Sequence, residues 1–191
     1  MARTHNFSII VSGVDTEADD FADRFFEAGC DDATVAVQKG LVVLDFDREA
    51  ASFSSALVSA IVAVEEAGAT IERIEPDYLV NASDIAHRAG LGRAAVSNYA
   101  LGLRGRDFPH PVARLTTDSP LWDWVEVSSW MRANHKVTRA AVVEATIIRE
   151  VDRVIAERRP PTTNVGRRLE RARGRQNLRE RAAHEPEFGF S

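Results

Sequence analysis

Apolar and polar residues alternate near the start of the chain, where Phe7, Ile9 and Val11 have the period of a half-buried strand. Thr16-Glu17-Ala18-Asp19 then opens an acidic helix that places Phe21, Phe25 and Ala28 on one face and ends at Gly29. Residues 34–38 and 41–46 are two runs rich in β-branched side chains, separated by the two-residue hairpin signal Lys39-Gly40. Ser52 is placed to cap a second helix in which Leu57, Ile61 and Val64 line up, closed by Gly68. Residues 70–74 form a last strand, with Ile71 and Ile74 alternating imperfectly, stopped by Pro76. The order is β-α-β-β-α-β, the split βαβ of a ferredoxin-like module. That layout serves sensors, RNA binders, enzymes and dimerisation domains alike, so function has to come from elsewhere in the chain.

The next segment, ASDIAHRAGLGRAAVSNYALG from Ala82, meets the demands of a helix-turn-helix. Two short helices that cross closely need a small residue between them, and Ala86 supplies it. The turn needs a residue tolerant of positive φ, and Gly90 follows four positions later. Val96 and Tyr99 anchor the second helix inward, with Ile85 and Leu91 completing a small core. A period of 3.6 then turns Arg93, Ala94, Ser97, Asn98 and Leu101 outward. In such a unit the N-terminal part of the second helix enters the major groove. Arg93 suits guanine, Asn98 adenine and Ala94 a thymine methyl.

Downstream stand Phe108-Pro109-His110-Pro111-Val112, then Leu121-Trp122, Glu126-Val127 and Trp130-Met131. With the preceding helices, this segment (79–134) resembles the excisionase-type winged helix-turn-helix proteins, relatives of the MerR regulators. The resemblance implies that the FPxPV run leads into a two-stranded wing and that a helix of the form EVxxWL closes the domain. The residues themselves agree with that closing helix: Asp123 and Glu126 are spaced as a capping box, and Trp124, Val127, Trp130 and Met131 share one apolar face. The family's wing is often basic around the tryptophan, whereas Asp118 and Asp123 stand here. Contacts to the DNA backbone therefore fall to Arg104, Arg106 and Arg114.

From Thr138 to Arg158 a long helix carries Val143, Ile147, Val151, Val154 and Ile155 on a stripe, expected to pair two copies or to pack within the chain. Pro160-Pro161 ends it. Residues 158–181 then hold nine arginines against two glutamates. Arg167, Arg168, Arg171, Arg173 and Arg175 are the candidates there for nonspecific phosphate contacts, in a tail expected to be disordered or weakly helical on its own.

Charge changes sign along the chain. Residues 1–75 carry five Lys/Arg against fifteen Asp/Glu, residues 76–135 six against six, and residues 136–191 thirteen against eight. The formal net charge of −5 thus hides an acidic first module, which phosphate would repel, and a basic end. Asp19, Asp20, Asp23, Asp31 and Asp32 lack the spacing of a calcium loop and read as a solvated face. The third strand has one aromatic beside an acidic residue, which argues against base stacking by this module. The single Cys30 reads as a small buried hydrophobe and implies a reducing, cytoplasmic setting. No apolar run reaches the roughly 18 residues of a membrane helix, and the apolar run at 7–11 is too short for a signal core. The five histidines (5, 87, 110, 135 and 184) are scattered, and neither a phosphate-cradling loop nor a nucleophile elbow is present. No enzyme, metal or cofactor is expected.

These readings define an α+β chain of four parts: a ferredoxin-like module (1–76), a winged helix-turn-helix (77–135), a long amphipathic helix (136–159) and an Arg-rich tail (160–191). The expected partner is double-stranded DNA, bound by a homodimer acting as a repressor or autoregulator. The first module is left to sense an effector, dimerise or hold a protein partner. An antitoxin-like adaptor and an excision or DNA-bending factor are the alternatives.

Overall fold

The computed structural model describes residues 2–159, 165–168, 171, 173 and 175. It is a mixed α+β structure with an antiparallel sheet and several helices. Residues 1–155 form one compact unit, and Ala156–Ser191 form a second. Among the described residues no helix is long and apolar enough to cross a membrane.

The first six elements are β1 (Arg3–Ser12), α1 (Phe21–Glu27), β2 (Ala33–Gln38), β3 (Leu41–Ala50), α2 (Phe53–Glu66) and β4 (Thr70–Glu75). The strands form one antiparallel sheet in the order β2-β3-β1-β4. Lys39 and Gly40 both have positive φ, as a tight hairpin between β2 and β3 requires. Strand alternation sends Phe7, Ile9 and Val11 of β1, with Val42, Leu44 and Phe46 of β3, into a core shared with Phe25, Leu57 and Val64. Asp45, Asp47 and Glu49 alternate outward, so the opposite face of the sheet is acidic. The imperfect alternation of β4 has a local cause. Ile10 pairs with Arg73 and Val11 with Ile71, so Glu72 is the extra residue of a bulge and both isoleucines face inward.

Two expectations for this half need correction. Residues 16–20 are turns rather than the first turns of a helix; α1 begins only at Phe21, and Asp20 gives it no side-chain cap. Asp32 is not part of a solvated face: it accepts from Arg48 Nε at 2.8 Å and Nη2 at 2.6 Å. Arg48 is 9% exposed, lies over the Phe46 ring and donates to the Gly29 carbonyl. This paired guanidinium ties β3 to the end of α1, and removing either partner would leave a largely buried charge. Cys30 is buried and free, and burial pushes its thiol up to about 11, as suits a packing residue.

The second core belongs to β5 (Leu79–Val80), α3 (Ala82–Ala89), α4 (Arg93–Ala100), β6 (Trp122–Asp123) and α5 (Trp124–Ala133). β5 pairs with β6, setting Val80 opposite Trp122. The expected two-stranded wing is reduced to a single bridge, Ala113 with Leu121, closing a loop whose side chains at 114–119 are exposed. The two prolines in 109–111 remove N–H donors that a longer ladder would need.

Helix α6 (Arg139–Arg158) joins both cores. Ala145 lies in the second core and Ile148 in the first. Asp152 accepts from the Ile74 N–H of β4 at 2.7 Å, which covers an edge strand, and Arg149 pairs with Asp123 at 2.9 Å. The stripe expected from apolar residues is therefore rotated: Ile147, Val151 and Ile155 pack inward, whereas Val143 and Val154 are exposed. α6 supplies residues to both cores, and both lie within the one compact unit 1–155.

Candidate nucleic-acid interface

The α3–α4 pair is built from its caps inward. Asn81 accepts from the Ser83 and Asp84 N–H groups, while Asp84 accepts from the Asn81 N–H, a closed capping box. Gly90 takes φ 62°, the left-handed conformation that turns the chain, and Leu91 N–H bonds back to the Ala86 carbonyl at 2.8 Å. Ile85, Ala86 and Val96 are buried between the helices, with Leu91 and Tyr99 packed at their margin. Those inner positions leave the other side of α4 in solvent.

Arg93, Ala94 and Ser97 are exposed there, and Asn98 is half-buried. The Ser97 hydroxyl donates to the Arg93 carbonyl at 3.1 Å, so it lies along the helix. Leu101 is 72% exposed, just past the helix end. The Asn98 carbonyl accepts from both Leu103 and Arg104 N–H groups, which folds the following loop back on α4 and places Arg104 beside its C-terminal end. Arg106 is exposed, and its carbonyl accepts from Trp130 Nε1 at 2.9 Å. Arg114 belongs to a separate element, the loop between the bridged residues, where it takes φ 53°. The geometry thus brings Arg93, Ala94, Ser97, Asn98, Arg104 and Arg106 onto α4 and its trailing loop.

A closing aromatic cluster holds that loop. Tyr99, Phe108 and Trp130 have ring centroids 5.1–5.8 Å apart, and Trp122 donates to the Pro109 carbonyl. Gly105 lies flat against this cluster at φ 68°, where a Cβ would stand 2.6 Å from Trp130 Cζ2. Nothing in the sequence pattern singles out Gly105. Asp123 does cap α5, accepting from Val125 N–H at 2.8 Å, but the capping box with Glu126 does not form: its other oxygen takes Arg149 instead, and Glu126 is exposed. The Asn81 cap was also missed, although an Asn three residues before an Asp is a legible signal.

Arg88 of α3 lies with its guanidinium 5.5 Å from the Trp124 ring and donates to the Asp77 carbonyl at 2.8 Å. Burial lowers its pKa from the usual arginine value, opposed by Asp84 and Asp77. In the tail, Arg167, Arg168, Arg171, Arg173 and Arg175 are exposed and helical. Apart from these and residues 165 and 166, the segment 160–191 lies outside the described residues. No protein-family model, curated protein or solved structure matches the chain.

Proposed function

We propose that this chain is a sequence-specific DNA-binding regulator of transcription that reads a base sequence with the exposed side of α4. In this reading β1 to β4 with their two helices make a ferredoxin-like module. Elements β5 to α5 make a winged helix-turn-helix of the excisionase type with a very short wing. The observation that carries it is the division of α4: Val96 is fully buried, while Arg93, Ala94 and Ser97 on the other side keep their outward faces open to solvent. Arginine, asparagine and a methyl group are the side chains that read guanine, adenine and thymine in the major groove. Gly92 caps α4 without a side chain, so the first-turn N–H groups also suit a phosphate oxygen. Arg104, Arg106 and Arg114 supply further backbone contacts. The acidic sheet face of the other module would turn away from the duplex.

That acidic face also favours a second reading, an adaptor whose Asp45, Asp47 and Glu49 hold a basic partner protein while α4 regulates its own gene. A homodimer on DNA would have to use a surface other than the inward stripe of α6, which is occupied within the chain.

The test is substitution on a preferred site. Arg93→Ala and Asn98→Ala should each cost about 1–3 kcal/mol there, with nonspecific binding changed much less. Full affinity and full discrimination in both variants would place the reading surface elsewhere.

A further inference from the structure

A cavity of about 370 Å³ lies where the start of α2, the link between β4 and β5, and helices α3, α5 and α6 meet. This is within the usual size range of small-molecule sites, roughly 300–1,000 Å³. Phe53, Trp124 and Ile148 give it apolar walls, and Tyr78 adds a third ring. Two charged side chains also line it, Arg88 from α3 and Glu144 from α6.

Among the described residues, Arg88 has no carboxylate within ion-pair distance and only the Asp77 carbonyl as a hydrogen-bond acceptor. A guanidinium has five N–H donors in a planar fork suited to a carboxylate, so most of that capacity is unused. Glu144 is half-buried and has no hydrogen-bond partner among the described residues. Two opposite charges therefore line one apolar cavity without pairing with each other, while Asp84 and Asp77 act on Arg88 from beyond ion-pair distance. A ligand carrying a carboxylate alone would leave Glu144 to repel it, and an amine alone would meet Arg88 in the same way.

We propose that this cavity binds a small zwitterion with an aromatic body, of the aromatic α-amino acid class, its carboxylate on Arg88, its ammonium on Glu144 and its ring against Phe53 and Trp124. The site bridges α3 and α6, so an occupied cavity fixes the helix that supports α4 against the helix that joins the two cores. A consequence for DNA binding rests on the function proposed above; ligand binding itself does not.

Calorimetry on the full chain decides the matter, using phenylalanine, tyrosine and tryptophan beside 3-phenylpropionate, which lacks the amine, and phenethylamine, which lacks the acid. At least one amino acid should bind saturably, with both single-charge analogues weaker by about tenfold or more, since each loses a charge-assisted hydrogen bond. Glu144→Gln should erase the preference over 3-phenylpropionate, and Arg88→Gln the preference over phenethylamine, with circular dichroism reporting that both variants keep the fold. Absence of saturable binding by all three amino acids at millimolar concentration overturns the proposal. So does a single-charge analogue binding as tightly as the zwitterions. Either result can be obtained whether or not the protein binds DNA.

Discussion

Replacing Gly105 by alanine probes the joint between the α4 loop and the closing aromatic cluster. Its backbone has φ 68°, a region where an L side chain costs about 1–2 kcal/mol. The added methyl would also stand 2.6 and 2.7 Å from Trp130 ring carbons and 3.1 Å from Tyr99 Cδ1. Ordinary contacts between carbons are about 3.5–4.0 Å, so the rings must shift, and overpacking of this kind costs about 1–3 kcal/mol. Gly102 provides the control. It has φ 69° and would meet nothing within 4 Å, so Gly102→Ala carries the backbone cost alone. The expected totals are about 2–5 kcal/mol for Gly105→Ala and about 1–2 kcal/mol for Gly102→Ala. For a chain of this length each kcal/mol moves the melting temperature by roughly 2–4 °C, which makes the two variants separable by thermal denaturation. Tryptophan emission should shift to the red in Gly105→Ala only, because displacing half-buried Trp130 from the aromatic cluster and from the Arg106 carbonyl exposes its indole to water. Equal melting temperatures for the two variants would refute the close approach of Gly105 to Trp130.

The pH dependence of stability has a specific contributor in Asp152, whose carboxyl is pushed up to about 6 by burial, with Asp77 and Glu75 adding and the Ile74 N–H and Arg73 opposing. Because that lies above the unfolded value of about 3.9, the protonated form favours folding: the contribution is present below about pH 4 and is lost as pH rises through about 6. Asp152→Asn, which keeps an acceptor for Ile74, should match the wild-type melting temperature near pH 4 and exceed it above pH 6; a difference that does not vary with pH would count against this. Deleting residues 160–191 leaves the compact unit 1–155 untouched, and under the proposed function it should lower the salt slope of DNA binding by roughly 0.9 for each phosphate that the tail neutralises. An unchanged slope would assign Arg167, Arg168, Arg171, Arg173 and Arg175 to some other task.

The elements of both halves were legible wherever local rules decide them. Period-two alternation placed β1 and β3, Ser52 marked the start of α2, and Gly90 marked the turn between α3 and α4. Reading failed where a polar residue does packing work or where two distant segments meet. α6 shows the cause most clearly: its apolar residues cover much of its circumference, so hydrophobicity alone could not choose the buried side. Ala145 and Asp152, one small and one charged, in fact face the two cores. Arg48 looks like an exposed strand residue until Asp32 is seen beside it. The wing was overestimated from motif resemblance, since prolines in 109–111 limit how far a ladder can extend. The cavity had no signature in the sequence at all, because its walls come from several elements and the linking segment.

The most direct test of α4 as a reading surface is selection of duplexes from a random-sequence pool by the full chain, followed by competition binding at physiological salt. The expected result is one enriched motif, bound at least about 10³-fold tighter than its scrambled counterpart. Recovery of no motif, with selected and scrambled duplexes bound equally, would contradict the assignment of α4 to sequence-specific DNA recognition.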